Sequence, residues 1–408
     1  MEWLLMKDHD ERINLGLIGC GGMGNSHLNS LIRLKTEGLD FFNLLSVCDL
    51  TEEKATSFSE AAFKGLGYRP KVYTSFEEML TQESEIEAAD VVTDHRSHHT
   101  IVTACLERDM HVMVEKPLGI TIRACRKMID TAEKFHRILA VAENYRRTPR
   151  NRALKKTIDL GVIGTPYMLF QMGIGGGDEI VATAWRHLKE VAGAGWILDM
   201  GVHEADLFRY FLGEVEEVYG LAKKFEKRRF RRVSDESGTR IVENMEPTVE
   251  DTFLSTLKFR NGLIGQWSLS LAGHTWPLGY FQGGFNSQLI YGSKGHLNNG
   301  NLVLDNGVKM DEENLAKAFM ILLTKEEKER LFPRGITDGV ALELFDFAKA
   351  IIEDKKPEVD GWEGLRSEAV CYTVCESAQL GEPVKVKDVE ESRIDLYQRE
   401  LDENLKLV

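Results

Sequence analysis

The chain has 408 residues, too many for one typical domain, so two domains are the natural expectation. Hydrophobic residues make up 43% and charged residues 28%, proportions that are ordinary for a globular enzyme and argue against intrinsic disorder. With 51 basic and 65 acidic residues the net charge is −14, which argues against a nucleic-acid partner.

The cysteines and the hydropathy pattern predict the cellular compartment of the protein. None of the six cysteines forms a Cys-x-x-Cys pair, and their scatter is typical of reduced, buried thiols in the cytosol. Residues 1–11 have only a short apolar run beside charged residues, which is unlike a signal peptide. No window approaches about 18 consecutive apolar residues, so we expect no membrane contact and a cytoplasmic protein.

Short apolar runs alternate with helix-like segments over the first part of the chain. The strand-like runs lie at 13–18, 43–48, 89–93, 111–115 and 138–142. The helix-like segments lie near 24–36, 51–64, 98–108 and 121–135. Continuous apolar strands separated by helices indicate a parallel sheet covered on both faces. We therefore predict an α/β protein with a doubly wound Rossmann domain over 1–146 and a second α/β domain over 147–408.

The first predicted strand runs directly into a glycine-rich turn, Gly19-Cys20-Gly21-Gly22-Met23-Gly24. In a dinucleotide site with this GxGxxG spacing, the first glycine permits the tight turn and the second lets the backbone approach the pyrophosphate. The third lets the following helix pack against the strand. Because the turn lies between a strand and a helix, we predict that it binds pyrophosphate at the helix N-terminus.

Asp49 ends the second predicted strand, where an acidic residue can accept hydrogen bonds from both ribose hydroxyls of the adenosine. Leu50 and Thr51 follow it, so no adjacent basic side chain can neutralise a 2′-phosphate. This arrangement favours NAD over NADP. The alternative is that Asp49 serves only as a helix N-cap before Thr51.

Candidate catalytic residues occur in two parts of the chain. Lys116 follows a predicted strand in Glu115-Lys116-Pro117, at the sheet edge where ligands of open α/β sheets bind; the alternative is a surface lysine. Asp199 and His203 lie one turn apart on a predicted helix that Gly213 is expected to end. Asp199 could orient the imidazole while His203 exchanges a hydroxyl proton; the alternative is a structural histidine.

Together these segments resemble the glucose–fructose oxidoreductase, inositol dehydrogenase and MocA (Gfo/Idh/MocA) family. The resemblance rests on GLIGCGGMG at 16–24, Asp49, HVMVEKPLGIT at 111–121 and AGAGWILDMGVHEADLFRYFLG at 192–213. Segments 249–270, 291–297 and 360–386 also look like parts of the family's second domain. The resemblance implies that this domain is built on a large, mostly antiparallel open sheet. It also implies a homo-oligomer formed through that sheet.

The resemblance further implies that Lys116, Asp199 and His203 are the catalytic set, with His203 as the base and Lys116 bound to the reacting oxygen. The expected cofactor contacts are Gly19, Gly21, Gly22, Met23, Gly24, Asp49, Thr93, His95, His98, Glu115, Lys116 and Asn144. The expected substrate contacts are Lys116, Tyr145, Arg146, Trp185, Arg186, Asp199, His203, His274 and Trp276. Tryptophan rings can stack on sugar faces, although ordinary packed aromatics in turns are the alternative.

Two features depart from the family pattern. The usual TPxxxH loop reads Thr93-Asp94-His95-Arg96-Ser97-His98, with aspartate in place of proline. The clustered histidines could suggest a metal, but no matching ligand pair is apparent elsewhere, so no metal is expected. Residues 226–247 and 308–336 look like insertions and leave the substrate undefined.

The sequence favours an NAD-dependent dehydrogenase that moves a hydride to or from a hydroxyl-bearing carbon of a sugar, polyol or glycoside. A second hypothesis is an NAD-dependent glycosidase or lyase that oxidises, eliminates and then reduces. It requires a further base, such as His95, His98 or Tyr145. A third hypothesis is a non-catalytic sensor of sugar or dinucleotide. In each case the expected partner is a small carbohydrate or glycoside, not nucleic acid or membrane.

Overall fold

The computed structural model of the protein describes residues 12–235, 238–278 and 282–408. Residues 1–11, whose composition is unlike a signal peptide, lie outside the described residues. No helix in the described part of the chain is both long and apolar enough to cross a membrane. All six cysteines are buried, as predicted.

Strands and helices occur along the whole of the described chain. The strands are β1 Ile13–Ile18, β2 Phe42–Cys48, β3 Lys71–Tyr73, β4 Ala88–Val91, β5 His111–Glu115, β6 Leu139–Ala142, β7 Pro166–Gly176, β8 Val215–Lys223, β9 Arg229–Asp235, β10 Gly238–Met245, β11 Thr252–Phe259, β12 Ile264–Gly273, β13 Phe285–Gly292, β14 Gly295–Asn298, β15 Asn301–Leu304, β16 Lys309–Met310 and β17 Val384–Lys385. The helices are α1 Gly22–Thr36, α2 Glu52–Leu66, α3 Phe76–Gln82, α4 His98–Leu106, α5 Ile122–Lys134, α6 Pro149–Asp159, α7 Lys189–Ala192, α8 Trp196–Asp199, α9 Gly201–Leu212, α10 Glu312–Leu322, α11 Lys325–Leu331, α12 Gly339–Glu353, α13 Gly361–Leu380, α14 Val386–Glu390 and α15 Arg399–Asn404.

The chain divides into two compact units, each built from three segments. Among the described residues, the first unit comprises 12–118, 125–147 and 325–362, and the second comprises 119–124, 148–235, 238–278, 282–324 and 363–408. The sequence prediction assigned residues 325–362 to the second domain, whereas they cluster with the first unit in the structure.

The first unit contains a parallel six-stranded sheet in the order β3-β2-β1-β4-β5-β6. This is the strand order of a dinucleotide-binding Rossmann sheet, so the predicted fold of this unit is confirmed. The five strands expected from apolar runs are present, with shifts of one or two residues at their ends. The three-residue strand β3 and helix α3 were not predicted, because such short elements carry little periodicity.

The later segment of the first unit packs against its sheet and first helix. Helix α12 begins after Asp338, whose side chain accepts a hydrogen bond from the Ala341 N–H at 2.8 Å. The same aspartate accepts a hydrogen bond from Ser30 of α1 at 3.2 Å. Phe347 stacks on Phe42 of β2 with ring centroids 6.3 Å apart. These contacts explain why α12 belongs to the first unit.

The second unit contains a nine-stranded sheet in the order β16-β15-β14-β13-β7-β12-β11-β8-β17. Strands β7 and β12 are parallel, and the other neighbouring strands in it are antiparallel. The predicted second domain with a large, mostly antiparallel sheet is therefore confirmed. Helix α9 packs on this sheet through Phe208, whose ring meets Trp267 edge-on at 5.4 Å.

The two segments interpreted as insertions form ordered elements. Strands β9 and β10 make a separate two-stranded hairpin within 226–247. The segment 308–336 contains β16, α10 and α11. Helix α10 begins after Asp311, whose side chain accepts from the Asn314 N–H, and it packs against α6.

Candidate active site

The glycine-rich turn of the first unit has the geometry that pyrophosphate binding requires. Gly19 has a φ of +111°, and a Cβ there would lie 2.2 Å from the Val92 carbonyl oxygen. A Cβ on Gly24 would lie 2.1 Å from the Gly19 carbonyl oxygen, so only glycine lets α1 start this close to the turn. By contrast, a Cβ on Gly21 would meet nothing within 4 Å. The turn is therefore tight on its inner side and open at Gly21, where a phosphate could approach the backbone.

Asp49 lies at the carboxyl end of β2 and is held by two backbone amides. Its Oδ2 accepts from the Cys20 N–H at 3.0 Å, and its Oδ1 accepts from the Thr51 N–H at 2.9 Å. The N-cap of α2 is Thr51, so Asp49 is not itself the capping residue. Each carboxylate oxygen keeps a further lone pair that can accept from a ribose hydroxyl.

Lys116 follows the end of β5 on a turn that hydrogen bonds from neighbouring side chains hold in place. The Lys116 N–H donates to Glu115 Oε2 at 3.1 Å, and the Lys116 side chain is half-buried. The Pro117 carbonyl accepts a hydrogen bond from His98 Nδ1 at 2.9 Å. Because a carbonyl can only accept, this bond places the proton of neutral His98 on Nδ1. The turn therefore holds Lys116 at the sheet edge where the glycine-rich turn and Asp49 also lie.

The loop after β4 contains three of the predicted cofactor contacts. Thr93 is half-buried, and Asp94 caps a short 3₁₀ turn by accepting from the Ser97 N–H. The aspartate that replaces the family's proline thus has a local structural role. His95 is almost fully buried, and His98 is fully buried, which lowers the pKa of His98. Direct cofactor contact by His98, the role predicted from the sequence, would require this side chain to become exposed.

The residues after β6 also lie at the carboxyl edge of the parallel sheet. Asn144 is half-buried, and its Oδ1 is buried without a hydrogen-bond partner in the described structure. An orphaned amide oxygen of this kind fits a donor such as the nicotinamide carboxamide or a substrate hydroxyl. Tyr145 is largely exposed, whereas Arg146 is buried. Of these three predicted contacts, Asn144 and Tyr145 are the more accessible.

In the second unit, Asp199 ends α8 and His203 lies in the first turn of α9; both are buried. The helix predicted over this region is interrupted at Met200, and Gly213 ends it as expected. Arg186 donates from Nε to Asp199 Oδ2 at 2.8 Å and from a terminal nitrogen to Thr183 Oγ1 at 2.7 Å. Arg186 was predicted to bind substrate, and that role stays a prediction; in the structure its Nε holds the Asp199 carboxylate.

Glu204 follows the proposed base and anchors α9 to the sheet. Trp267 Nε1 donates to its Oε2 at 2.5 Å, and Gln171 Nε2 donates to its Oε1 at 2.7 Å. Burial raises the pKa of Glu204 to about 7, because the two hydrogen bonds only partly offset the loss of water. Glu204 was not among the site residues predicted from the sequence, although it directly follows His203.

The remaining predicted substrate contacts of the second unit fall into two groups. Trp185 lies against the Arg186 guanidinium, with 4.4 Å between the guanidinium carbon and the ring centroid. Trp276 is stacked on Arg232 of the β9–β10 hairpin, and His274 is hydrogen-bonded to Glu226 at 3.1 Å. The structure therefore associates Trp185 with Arg186 and Asp199, while His274 and Trp276 contact the hairpin region.

Both units match models of one protein family. A model described as an oxidoreductase family with an NAD-binding Rossmann fold matches residues 13–143. A model described as the C-terminal α/β domain of the same oxidoreductase family matches residues 155–386. The chain belongs to the Gfo/Idh/MocA family. It is an NAD-binding oxidoreductase, and the predicted family and cofactor are both confirmed.

Known members of the Gfo/Idh/MocA family are similar to the chain at low identity. Levoglucosan dehydrogenase of Pseudarthrobacter phenanthrenivorans is 27% identical over a stretch covering 62% of this chain and 66% of that protein. Myo-inositol 2-dehydrogenase of Thermotoga maritima is 26% identical, covering 92% of this chain and 99% of that protein. The crystal structure of an oxidoreductase domain protein from Kribbella flavida is 24% identical with a TM-score of 0.72, covering 92% and 99% of the two chains. That structure supports the fold.

Proposed function

We propose that the protein is an NAD-dependent dehydrogenase that moves a hydride between nicotinamide and a hydroxyl-bearing carbon of a sugar, polyol or glycoside. The observation that carries this proposal is the buried carboxylate of Asp199, which Arg186 holds at 2.8 Å four residues before the buried His203. A site that only binds a dinucleotide has no need of this carboxylate and histidine. Relatives named for levoglucosan and myo-inositol support the substrate class.

The proposed reaction requires one proton and one hydride to leave the alcohol. His203 accepts the hydroxyl proton, and Asp199 orients the imidazole and stabilises its cation. Lys116 donates a hydrogen bond to the same oxygen and stabilises the negative charge that develops on it. Bound NAD supplies the chemistry of hydride acceptance at C4 of the nicotinamide ring. In the reverse direction His203 returns the proton to the oxygen.

The first unit supports the cofactor assignment through three separate features. The open space at Gly21 fits the pyrophosphate, and the fixed carboxylate of Asp49 fits the ribose hydroxyls. Within the described residues Asp49 has no ion-pair partner, so nothing neutralises its repulsion of a 2′-phosphate. The orphaned Oδ1 of Asn144 fits a donor from the nicotinamide end or the substrate.

An aromatic ring in the second unit supports a carbohydrate as the substrate. Trp185 offers an apolar ring face of the kind on which pyranose rings stack. Its neighbour Arg186 is already paired with Asp199, so we propose that Arg186 positions Asp199 and contacts substrate only secondarily. A carbohydrate bound here would present one hydroxyl to His203.

The test is to follow absorbance of reduced nicotinamide when the purified protein meets NAD or NADP with a panel of free sugars, polyols and glycosides. We expect signal with NAD and at least one substrate. His203→Gln should lower kcat by roughly 10²- to 10⁴-fold, the usual contribution of a general base. His296→Gln is the matched control, because His296 lies on β14 against Tyr291.

Other outcomes would contradict the proposal in distinct ways. Cleavage of a glycoside without net NADH would indicate oxidation, elimination and reduction on retained cofactor. His98 is poorly placed as the extra base for that route, since it is buried and bonded to the Pro117 carbonyl. NAD binding without turnover, unchanged in His203→Gln, would indicate a sensor.

We also propose a homo-oligomer formed through the open face of the nine-stranded sheet. Along β11 the buried Phe253 and Leu257 alternate with the exposed Leu254, so one face of the strand is covered and the other is not. Leu254 is paired with Leu221 of β8, which is also exposed. Adjacent exposed apolar side chains on a broad sheet are typical of a subunit interface.

A further inference from the structure

A buried histidine of the first unit lies between two carboxylates. His27, on α1, is fully buried, and its Nδ1 lies 2.8 Å from Asp90 Oδ2 on β4. Its Nε2 lies 3.1 Å from Glu115 Oε1 at the end of β5. Glu115 Oε2 accepts from the Lys116 N–H, so Glu115 links His27 to the proposed catalytic lysine. The proposed dehydrogenase reaction gives no role to His27 or Asp90.

A third carboxylate lies near the same histidine, and its oxygens accept no hydrogen bond in the described structure. Glu343, on α12, is 1% exposed, and one of its oxygens lies 3.8 Å from His27 Nε2. Neither oxygen of Glu343 has a hydrogen-bond partner in the described structure. A buried carboxylate that accepts no hydrogen bond is costly, so this side chain suits coordination of a cation.

The surroundings of Glu343 carry an excess of negative charge. Besides Asp90 and Glu115, the buried Glu143 faces it, and the nearby Arg147 is already paired with Asp346 and Glu358. Several buried carboxylates therefore surround this position, an arrangement that favours a cation among them.

We propose that His27 Nε2, Glu115 and Glu343 bind a divalent metal ion, of the Zn²⁺ or Mn²⁺ type, within the first unit. Their ligand atoms all lie within 4.8 Å of one another. Bonds of about 2.0–2.2 Å in a tetrahedral site separate ligand atoms by roughly 3.3–3.6 Å, and the measured 3.1 and 3.8 Å bracket this range. One imidazole and two carboxylates suit these ions.

Asp90 supplies the outer contact that such sites usually contain. It accepts from His27 Nδ1, which leaves Nε2 as the atom directed at Glu115 and Glu343. The three ligands come from α1, β5 and α12, so the ion joins the glycine-turn helix, the strand before Lys116 and the later segment of the unit. Because all three are buried, the ion is taken up as the unit folds and has a structural role. The histidine-rich loop 93–98, for which no metal was expected, is not part of this site.

The test is elemental analysis of untagged full-length protein produced with zinc and manganese in the medium and purified without chelators. We expect about one ion per chain. Glu343→Gln and His27→Gln should each reduce bound metal at least tenfold, while Glu376→Gln, which alters a buried carboxylate of the second unit, should leave it unchanged. Far-UV circular dichroism checks that each variant is folded.

The wild-type measurement decides the proposal even if a variant fails to fold. A metal content near background in wild type, after supply of either ion, would overturn it and indicate that protons or a water satisfy Glu343. Anomalous scattering from crystals of the wild-type protein gives a second readout. A peak between His27 and Glu343 supports the site, and a peak elsewhere or none contradicts it.

Discussion

The Nε atom of Arg186 lies 2.8 Å from Oδ2 of Asp199, and this ion pair fixes a carboxylate four residues before His203. The guanidinium is partly exposed, whereas the carboxylate is almost fully buried. A buried carboxylate with such a partner is held in one orientation. The pair therefore positions the carboxylate that we propose to orient the imidazole of His203.

Arg186→Met should lower kcat about tenfold or more and change KM much less, because it disturbs Asp199 more than it disturbs any contact with substrate. Steady-state kinetics with the substrate found in the panel measures this. The conservative Arg186→Lys should recover part of the loss. A variant that raises KM with kcat unchanged would instead show that Arg186 binds substrate, and Arg231→Met, on the β9–β10 hairpin, serves as the control.

Asp49→Asn should weaken NAD binding by about tenfold or more, since hydrogen bonds to a charged acceptor are each worth roughly 1.5–3 kcal/mol. The same change removes the charge that repels a 2′-phosphate, so NADP should bind better relative to NAD. Titration calorimetry with both dinucleotides measures the ratio. Asp109→Asn, on the surface of the same unit, is the control, and unchanged NAD affinity in Asp49→Asn would refute the assignment.

Glu204 should make stability fall as pH rises. Burial raises its pKa from 4.5 to about 7, so between these values the folded state binds a proton that the unfolded state has lost. Its favourable contribution is complete below pH 4.5, declines through this window and is gone above pH 7. The shift of about 2.5 units corresponds to roughly 3 kcal/mol at most.

Melting temperatures at pH 5 and pH 8 test this reading of Glu204. Glu204→Gln mimics the protonated carboxyl, so it should exceed wild type at pH 8 and differ little from it at pH 5. Glu246→Gln, at an exposed position of the same unit, should follow wild type at both pH values. Equal pH profiles for wild type and Glu204→Gln would show that Glu204 does not titrate in this window.

Leu254→Lys should disrupt the proposed oligomer, because it places a charge in an apolar contact beside Leu221. Light scattering coupled to size exclusion should then report a mass near the 46.2 kDa of one chain. Ile321→Lys changes a still more exposed apolar residue on α10 and should preserve the oligomer. A wild-type protein that is already monomeric would contradict the proposal.

The parts of the fold that depend on nearby residues were predictable from the sequence. The glycine spacing at 19–24 and the position of Asp49 after an apolar strand both follow from short-range geometry, and the structure shows the expected strand, turn and helix. The spacing of Asp199 and His203 likewise predicts two side chains on one helix. The interruption at Met200 was not visible, because no proline marks it.

Contacts between distant residues could not be predicted in the same way. Arg186 reaches Asp199 across a glycine-containing loop, and nothing in its local pattern separates a carboxylate partner from a substrate. Glu343 lies more than 300 positions after His27, and only the packing of α12 on α1 brings them together. His27 lies three residues after Gly24, near the start of the predicted helix. Its burial on α1 was therefore the one feature of the cluster of His27, Glu115 and Glu343 that the sequence could predict.

The return of residues 325–362 to the first unit has a consequence for synthesis on the ribosome. The parallel sheet is complete in sequence by Ala142, but α12, which covers α1 and meets Phe42, follows almost 200 residues later. A nascent chain carrying only the early segments exposes the apolar surface that α12 later covers, and exposed surface of this kind favours aggregation. The nucleotide-binding half therefore reaches its final form only after most of the other half has been translated.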